Sequence, residues 1–199
     1  MKAESRVPTI DPPVVVADRV SSITPGSVAE LGARFVPQTL RYLGVPEQVL
    51  NDAAQDVLLV ALRRLDDFEG RSTLTTWIYG ICVRVAHDYR RKNRNNRELL
   101  VERMPEVTAP AHQETAIEQG EWRRALGRLL DELDENQRAA FVLYEIQQLS
   151  MKEVAEALGC PLKTAYFRHK SARDRVLEAF KCHTAEEKHE RTRQSSATL

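Results

Sequence analysis

The chain has 199 residues, 42% of them hydrophobic and 29% charged, and equal numbers of basic and acidic residues give a formal net charge of zero. This length suits one ordinary domain or two small ones, and the neutral balance means that any nucleic-acid binding must come from local clusters of Lys and Arg. No stretch of the sequence approaches the roughly 20 apolar residues that span a bilayer, and no signal-peptide core is present. The three cysteines are scattered along the chain, which argues against disulfides, a zinc site and secretion. We therefore expect a cytoplasmic protein.

The N-terminal part of the chain divides into a leader and a helical module. Residues 1–27 carry four prolines and few large apolar side chains, which is typical of a poorly ordered leader. From residue 28 to residue 97 apolar positions recur at helical spacing, with breaks at Pro46 and around residues 69–72. The pattern predicts a compact helical domain.

A helix predicted for residues 52–65 has two contrasting faces. One face should be buried, and its members are Ala54, Val57, Leu58, Ala61, Leu62 and Leu65. The other face is polar except for one leucine, and it consists of Asp52, Gln55, Asp56, Leu59 and Arg63. A leucine among polar residues suggests a surface for a partner, although an ordinary solvated face with one stray leucine is equally compatible with the pattern.

A longer helix is predicted after the break, with Ser72 or Thr73 as its N-cap. Residues 84–97, at its C-terminal end, contain six Lys or Arg and one Asp, more cations than the helix dipole alone would favour. A basic run that begins in an aromatic-bearing helix suits a groove that follows a nucleic-acid backbone, and a charged helix end in solvent is the alternative. The expected buried positions of this helix are Leu74, Trp77, Ile78, Ile81, Val85 and Tyr89.

A second helical module is predicted after a tether. Residues 98–119 contain prolines and small polar residues without a sustained apolar period, as expected of a flexible linker. Helical periodicity returns over residues 120–181, and the polar residues 182–199 are expected to form a disordered tail. The predicted fold class is therefore all-α, with two small helical domains joined by a linker.

The second module contains a helix-turn-helix pattern. Ser150 and Glu153 can form a capping box, and Gly159 permits a left-handed stop about two turns later. Pro161 suits the first turn of the next helix, and Asp134 is a second capping candidate, for a supporting helix upstream. Two short helices around a glycine-containing turn are typical of DNA-binding helix-turn-helix units. The expected buried positions of the second helix are Leu162, Ala165, His169, Ala172 and Val176.

The outward face of that second helix carries cations, hydrogen-bond donors and aromatic rings. Such groups can reach base edges and phosphates in the major groove of DNA. Adjacent aromatic residues cannot both point into a small core, which favours a contact surface. The alternative is a solvated helical hairpin that packs on the other domain. The residues concerned are Lys163, Thr164, Tyr166, Phe167, Lys170 and Arg173.

Over residues 28–180 the chain resembles RNA polymerase sigma factors of the extracytoplasmic-function type. In the first module the resemblance rests on the segments Asp52–Asp56, Leu65–Phe68, Thr75–Tyr79 and Ala86–Arg91. In the second module it rests on Leu149-Ser150, Glu153–Glu156, Leu158-Gly159, Pro161 and Thr164. Each segment is weak alone, but their order and spacing are specific.

The resemblance implies a transcription initiation factor, not an enzyme, that binds core RNA polymerase, directs it to specific promoters and assists strand opening, without cofactor or metal. Its expected partners are the clamp helices of the largest polymerase subunit, the flap region, promoter DNA and an anti-sigma factor, without insertion into a membrane. Core binding is assigned to Asp52, Gln55, Asp56 and Leu59. The minus-ten element is assigned to Trp77, Arg84, His87, Asp88, Arg90 and Arg91. The minus-thirty-five element is assigned to Lys163, Thr164, Tyr166, Phe167, Arg168, Lys170 and Arg173.

The chain departs from the family pattern at three places, which bear on the promoter sequence and on the core. Arg84 replaces a common Asn, Tyr166 and Phe167 replace a basic residue and Ser, and His169 replaces a core Leu or Ile. An autonomous helix-turn-helix regulator is the alternative function. A hydrolase or metal-dependent enzyme that uses His87 finds no support, because neither a nucleophile-base set nor metal-ligand spacing is present in the sequence.

Overall fold

The structure is a computed structural model that describes residues 23–99 and 126–196. All regular elements in these two ranges are helical, which confirms the all-α class. The first range contains α1 (Pro25–Tyr42), α2 (Leu50–Arg63) and α3 (Leu74–Leu99), with short 3-10 turns at Glu47–Val49 and Leu65–Asp67. The second contains α4 (described over 126–131), α5 (Glu135–Phe141), a π-helical turn (Val142–Ile146), α6 (Met151–Ala157) and α7 (Leu162–Ser196).

Two boundaries differ from the sequence prediction. α1 begins at Pro25, inside the expected leader, because Thr24 caps it: the Thr24 hydroxyl accepts a hydrogen bond from the Ser27 amide at 3.3 Å. α7 continues to Ser196, whereas a disordered tail was expected from residue 182. Residues 1–22 of the leader and residues 100–125, which include most of the expected linker, lie outside the described residues. In the parts of the chain that are described, no helix is both long enough and apolar enough to cross a membrane.

The first module buries α2 along a stripe that shares Val57 and Ala61 with the predicted one but is shifted toward Ala53. The fully buried positions are Ala53, Val57 and Ala61, so the helix is rotated by about one residue relative to the expected orientation. Leu62 was predicted to be buried, and this was wrong: it is 39% exposed, beside Leu59 at 47%. Because apolar residues stand next to each other along α2, the pattern fits two stripes, and packing between α1 and α3 selects one.

The local signals of the second module are confirmed. Ser150 and Glu153 form the capping box, and Gly159 has a φ of 59°. The Asp134 side chain caps α5 by accepting from the Gln137 amide at 2.9 Å. The prediction that Leu162 is buried was wrong, because the positions of α7 that are buried in the core begin one turn later, at Ala165.

We expect Ser150→Ala to lower the free energy of unfolding by about 1 kcal/mol, because the Glu153 amide loses the hydroxyl that accepts its hydrogen bond. Lys152→Ala on the exposed side of the same helix is the control and should change stability by less than about 0.5 kcal/mol. Urea unfolding followed by circular dichroism measures both variants. Equal midpoints for the two would contradict a stabilising role of the cap.

Candidate nucleic-acid interface

The first part of α7 presents an exposed surface of aromatic rings and cations. Phe167 is 71% exposed and Tyr166 is 55% exposed, unusually high values for aromatic side chains in a folded domain. Lys163, Lys170 and Arg173 are also exposed, whereas Thr164 and Arg168 are half-buried. The surface therefore offers positive charge and flat apolar rings on one short segment of helix.

His169 holds α7 against the π-helical turn. Its Nε2 lies 2.8 Å from Oε1 of Glu145, and its ring packs on Tyr144 with 4.5 Å between the ring centroids. The side chain is mostly buried, as expected for a core position, and its polar ring has a partner. The interaction orients the exposed residues of α7 relative to the rest of the module.

The residues assigned to the minus-ten element fall into two groups on α3. Trp77, Arg84, Asp88 and Arg91 are spaced by seven, four and three residues, so they follow one face of the helix. Asp88 and Arg91 form an exposed ion pair at 3.1 Å on this face. The remaining two, His87 and Arg90, lie on the side of α3 that faces the second module.

A cleft of about 160 Å³ lies beside Trp77 and Arg84. Phe68 contributes to its wall and packs against the indole of Trp77 with 5.3 Å between ring centroids. From the second module, Glu156 and Ala157 of α6 complete the wall. An aromatic ring, a guanidinium and a half-enclosed space form a site that can hold a flat base by stacking and hydrogen bonding.

The basic end of α3 meets an acidic residue of α5. Arg94 Nη2 lies 2.6 Å from Oε1 of Glu135, and His87 Nδ1 lies 4.0 Å from its Oε2. Arg90 is half-buried and donates to the carbonyl oxygen of Leu43 at 3.4 Å. Burial lowers the pKa of Arg90, and the neighbouring Arg138 guanidinium lowers it further.

The polar face of α2 is exposed along its whole length. Asp52, Gln55, Asp56 and Leu59 lie on this face, and Leu62 extends it by a further turn. Sequence reasoning missed Leu62, although it follows Leu59 by three residues and the helical spacing could have identified it. The result is a continuous face with acidic residues at one end and, at the other end, two leucines beside the exposed Arg63.

Asp56 also connects α2 to α3. Its Oδ2 accepts a hydrogen bond of 2.7 Å from the hydroxyl of Tyr89. Burial, followed by this hydrogen bond, raises the pKa of Tyr89 to about 12. The carboxylate is therefore held in one position while it remains on the exposed face.

Comparison with known families matches both modules. Residues 33–96 match the family model for sigma-70 region 2, and residues 123–176 match the model for sigma-70 region 4. Over 161 residues the chain is 30% identical to the ECF RNA polymerase sigma-E factor of Escherichia coli strain K12, covering 75% of this chain and 78% of that protein. The protein of the same name from Haemophilus influenzae is 27% identical over 134 residues, covering 63% of this chain and 71% of that protein.

Two solved structures share the fold. One is CnrH in complex with the cytosolic domain of CnrY, with a TM-score of 0.59, 23% identity, and coverage of 80% of this chain and 90% of that chain. The other is the sigma factor RpoE in complex with the anti-sigma factor NepR from Bartonella quintana, with a TM-score of 0.61, 24% identity, and coverage of 76% and 93%. Both similarities concern the helical architecture.

Proposed function

The chain belongs to the sigma-70 family of RNA polymerase sigma factors, of the ECF type, and from this premise we propose that its two modules contact a promoter at two points. As a member, it is a transcription initiation factor that directs RNA polymerase to promoters. The observation that carries the two-point proposal is the exposed set of cations and aromatic rings on α7, separate from the face of α3 that carries Trp77 and Arg84. No catalytic residue belongs to this function, and its place of action is the cytoplasm, with the polymerase.

The minus-thirty-five contact is proposed for the exposed part of α7. Lys163, Lys170 and Arg173 supply charge for phosphates and donors for base edges in the major groove. Phe167 and Tyr166 supply apolar surfaces. The methyl group of thymine is the apolar feature of the major groove that such surfaces can contact. Half-buried Thr164 and Arg168 border this surface. The aromatic pair then influences which promoter sequence is preferred.

The minus-ten contact is proposed for α3 and its cleft. Strand opening extrudes a base at a cost of a few kcal/mol, and stacking of that base on an aromatic side chain returns about 1–3 kcal/mol. Trp77 supplies the ring, and Arg84 lies beside the cleft to donate hydrogen bonds to a base or phosphate. Arg91 and the other cations of the helix end can neutralise the strand backbone.

We expect Trp77→Ala to weaken binding of a single-stranded minus-ten oligonucleotide about 10-fold, because it removes a stacking surface worth about 1–3 kcal/mol per base. Trp77→Phe keeps a ring and serves as the matched control, with binding within about threefold of wild type. Fluorescence anisotropy of the labelled oligonucleotide with polymerase holoenzyme measures both. Equal loss in the two variants would indicate damage to the packing with Phe68 rather than loss of stacking.

Core polymerase binding is proposed for the α2 face. Its acidic end, Asp52 and Asp56, matches a basic surface, and its leucine end matches an apolar one, which together define an orientation for docking. We assign this face to the clamp helices of the largest subunit and the second module to the neighbourhood of the flap. An anti-sigma partner is proposed by analogy, since the RpoE structure is a complex with an anti-sigma factor.

Transcription in vitro tests the function directly. Purified core polymerase, fragmented genomic DNA and this protein should yield transcript starts that are absent when the protein is omitted. Gel-shift assays on a mapped promoter, with and without core polymerase, discriminate the alternative of an autonomous regulator. Specific duplex binding by the free protein without stimulated starts would favour that alternative, and it would overturn the sigma-factor proposal.

A further inference from the structure

A phenyl ring lies between two cations on the exposed face of α7. Phe167 is 71% exposed, more than any other large hydrophobic side chain in the part of the chain that the structure describes. Lys163 precedes it by four residues and Lys170 follows it by three, so the three side chains share one face of the helix. When the two lysines bind phosphates, the ring between them is held toward the base edges of the groove.

The fold of the second module does not use this ring. The buried side of α7 is made by Ala165 and Ala172, which are fully buried, and by His169, whose Nε2 lies 2.8 Å from Oε1 of Glu145. Phe167 borders a wide cleft of about 660 Å³ beside the basic end of α3, where its ring stays mostly open to solvent. A large apolar surface is unfavourable in water and commonly marks an interaction site. The ring is therefore explained by a partner outside the chain.

The base edges in the major groove differ in what they offer to such a ring. A phenyl group has no hydrogen-bond donor or acceptor, and most groups on the base edges are polar and lose contact with water when the ring covers them. The exception is the methyl group on C5 of thymine, which is apolar. Cytosine carries only hydrogen at C5, whereas 5-methylcytosine carries the same methyl group at the same position. The base that the ring favours is therefore a pyrimidine with a C5-methyl group.

Tyr166 is not restricted in this way. Its side chain is 55% exposed and ends in a hydroxyl, which can form a hydrogen bond with a phosphate or with a polar base edge. It is displaced by about 100° around the helix from Phe167, and Lys170 and Arg173 follow it by four and seven residues. Selection by a methyl group alone is therefore assigned to Phe167.

We propose that Phe167 is a specificity-determining residue that selects a pyrimidine carrying a C5-methyl group, either thymine or 5-methylcytosine, at one base pair of the minus-thirty-five element. The inference rests on the proposed function, because it requires that the exposed part of α7 enters the major groove of that element. It has a consequence for regulation. Methylation of a cytosine at this position would raise the affinity for the promoter without changing the protein or the base pairing.

The expected effect differs in kind from that of the neighbouring cations. Covering one methyl group changes the affinity about fourfold. The ring is uncharged, so its removal should leave the salt dependence of binding unchanged. Loss of Lys170, if it binds a phosphate, should instead lower the log–log slope by about one.

Uracil tests the thymine arm, because it keeps the base pairing and the O4 acceptor of thymine and lacks only the methyl group. Each thymine of the minus-thirty-five element of a mapped start, on either strand, is replaced in turn by uracil. Competition fluorescence anisotropy with polymerase holoenzyme measures the affinity for each promoter duplex. We expect one position at which uracil weakens wild-type binding about fourfold, and at that position Phe167→Ala should bind both duplexes equally.

Methylated cytosine tests the second source of the methyl group. The pair at the sensitive position is changed to a cytosine–guanine pair, with and without a methyl group on C5 of the cytosine. Methylation should strengthen wild-type binding about fourfold and should leave binding by Phe167→Ala unchanged. A response to uracil without a response to this methylation identifies thymine as the target and overturns the proposed control by cytosine methylation.

Two further variants separate selection from packing. Leu177→Ala removes another exposed apolar side chain of α7, 47% exposed and ten residues further on, and it should keep the wild-type ratio of thymine to uracil affinity. Circular dichroism should show equal helix content in all variants. If Phe167→Ala loses helix content, Phe167→Gln provides the same readout, because glutamine favours a helix and has no apolar ring.

The outcomes distinguish this inference from the proposed function. Equal wild-type affinity for thymine and uracil at every position overturns the inference while promoter binding itself stands. A methyl response that persists in Phe167→Ala and is lost in Tyr166→Ala overturns it as well, since another ring would then read the base. Failure of the holoenzyme to bind the element in any form counts against the proposed minus-thirty-five contact.

Discussion

The double charge reversal Asp52→Lys with Asp56→Lys is expected to weaken binding of the protein to core RNA polymerase about 100-fold. Both carboxylates lie on the exposed face of α2, and a basic docking partner would then meet two like charges. Like charges placed opposite each other at an interface cost several kcal/mol, which exceeds the effect of losing two attractive contacts. Titration of labelled protein with core polymerase gives the dissociation constant.

Two controls separate docking from folding in this experiment. Glu30→Lys with Glu132→Lys produces the same change of net charge at exposed positions away from the face, and it should retain wild-type affinity. Tyr89→Phe removes the hydrogen bond to Asp56 without changing the charge of the face. If the Asp52 and Asp56 reversal leaves the affinity for core polymerase unchanged, this face does not dock on the polymerase.

Removing the two cations Lys170 and Arg173 by substitution with alanine is expected to weaken binding of the second module to the upstream promoter element about 10- to 100-fold. Each lost contact to a base edge costs about 1–3 kcal/mol, and each lost phosphate contact reduces the salt dependence of binding by about one in the log–log slope. The comparison of binding constants at several salt concentrations therefore indicates whether Lys170 and Arg173 contact phosphates or bases.

Footprinting of the polymerase holoenzyme on a mapped promoter localises this effect. Protection should be lost around the minus-thirty-five element and retained downstream, where α3 is proposed to bind. The control is the double variant Arg64→Ala with Arg175→Ala, which removes the same charge from exposed positions. Arg175 lies on the side of α7 away from Lys170 and Arg173. In this control the footprint around the minus-thirty-five element should persist. A full upstream footprint in the Lys170 and Arg173 double variant would refute the assignment of α7.

Several features were predictable because they depend on residues close together in the chain. The caps at Ser150 and Asp134 and the turn at Gly159 involve hydrogen bonds or backbone angles within a few residues, so their sequence signals were sufficient. The exposure of Tyr166 and Phe167 followed from simple geometry, since adjacent helical side chains cannot face the same core. The helical class and the order of the two modules have the same local origin.

Orientation of the helices was less predictable, as α2 illustrates. Apolar residues at Val57 and Leu58, and again at Ala61 and Leu62, allow two buried stripes that differ by one residue. Only the positions of α1 and α3 select the stripe, and they leave Leu62 on the surface with Leu59. The face proposed for docking is therefore larger than its sequence pattern suggested.

For the surface of α3 that is assigned to the minus-ten element, some properties were likewise predictable from the sequence and others were not. The sequence by itself determined that a basic helix end follows an aromatic-bearing segment, because composition and helical period are properties of the chain. Only the tertiary structure decided that His87 and Arg90 face the second module and that Gly80 permits the approach of Ala157. These contacts join residues about 40 to 80 positions apart, and no local signal specifies such pairs, since their energy arises only when the two modules pack together.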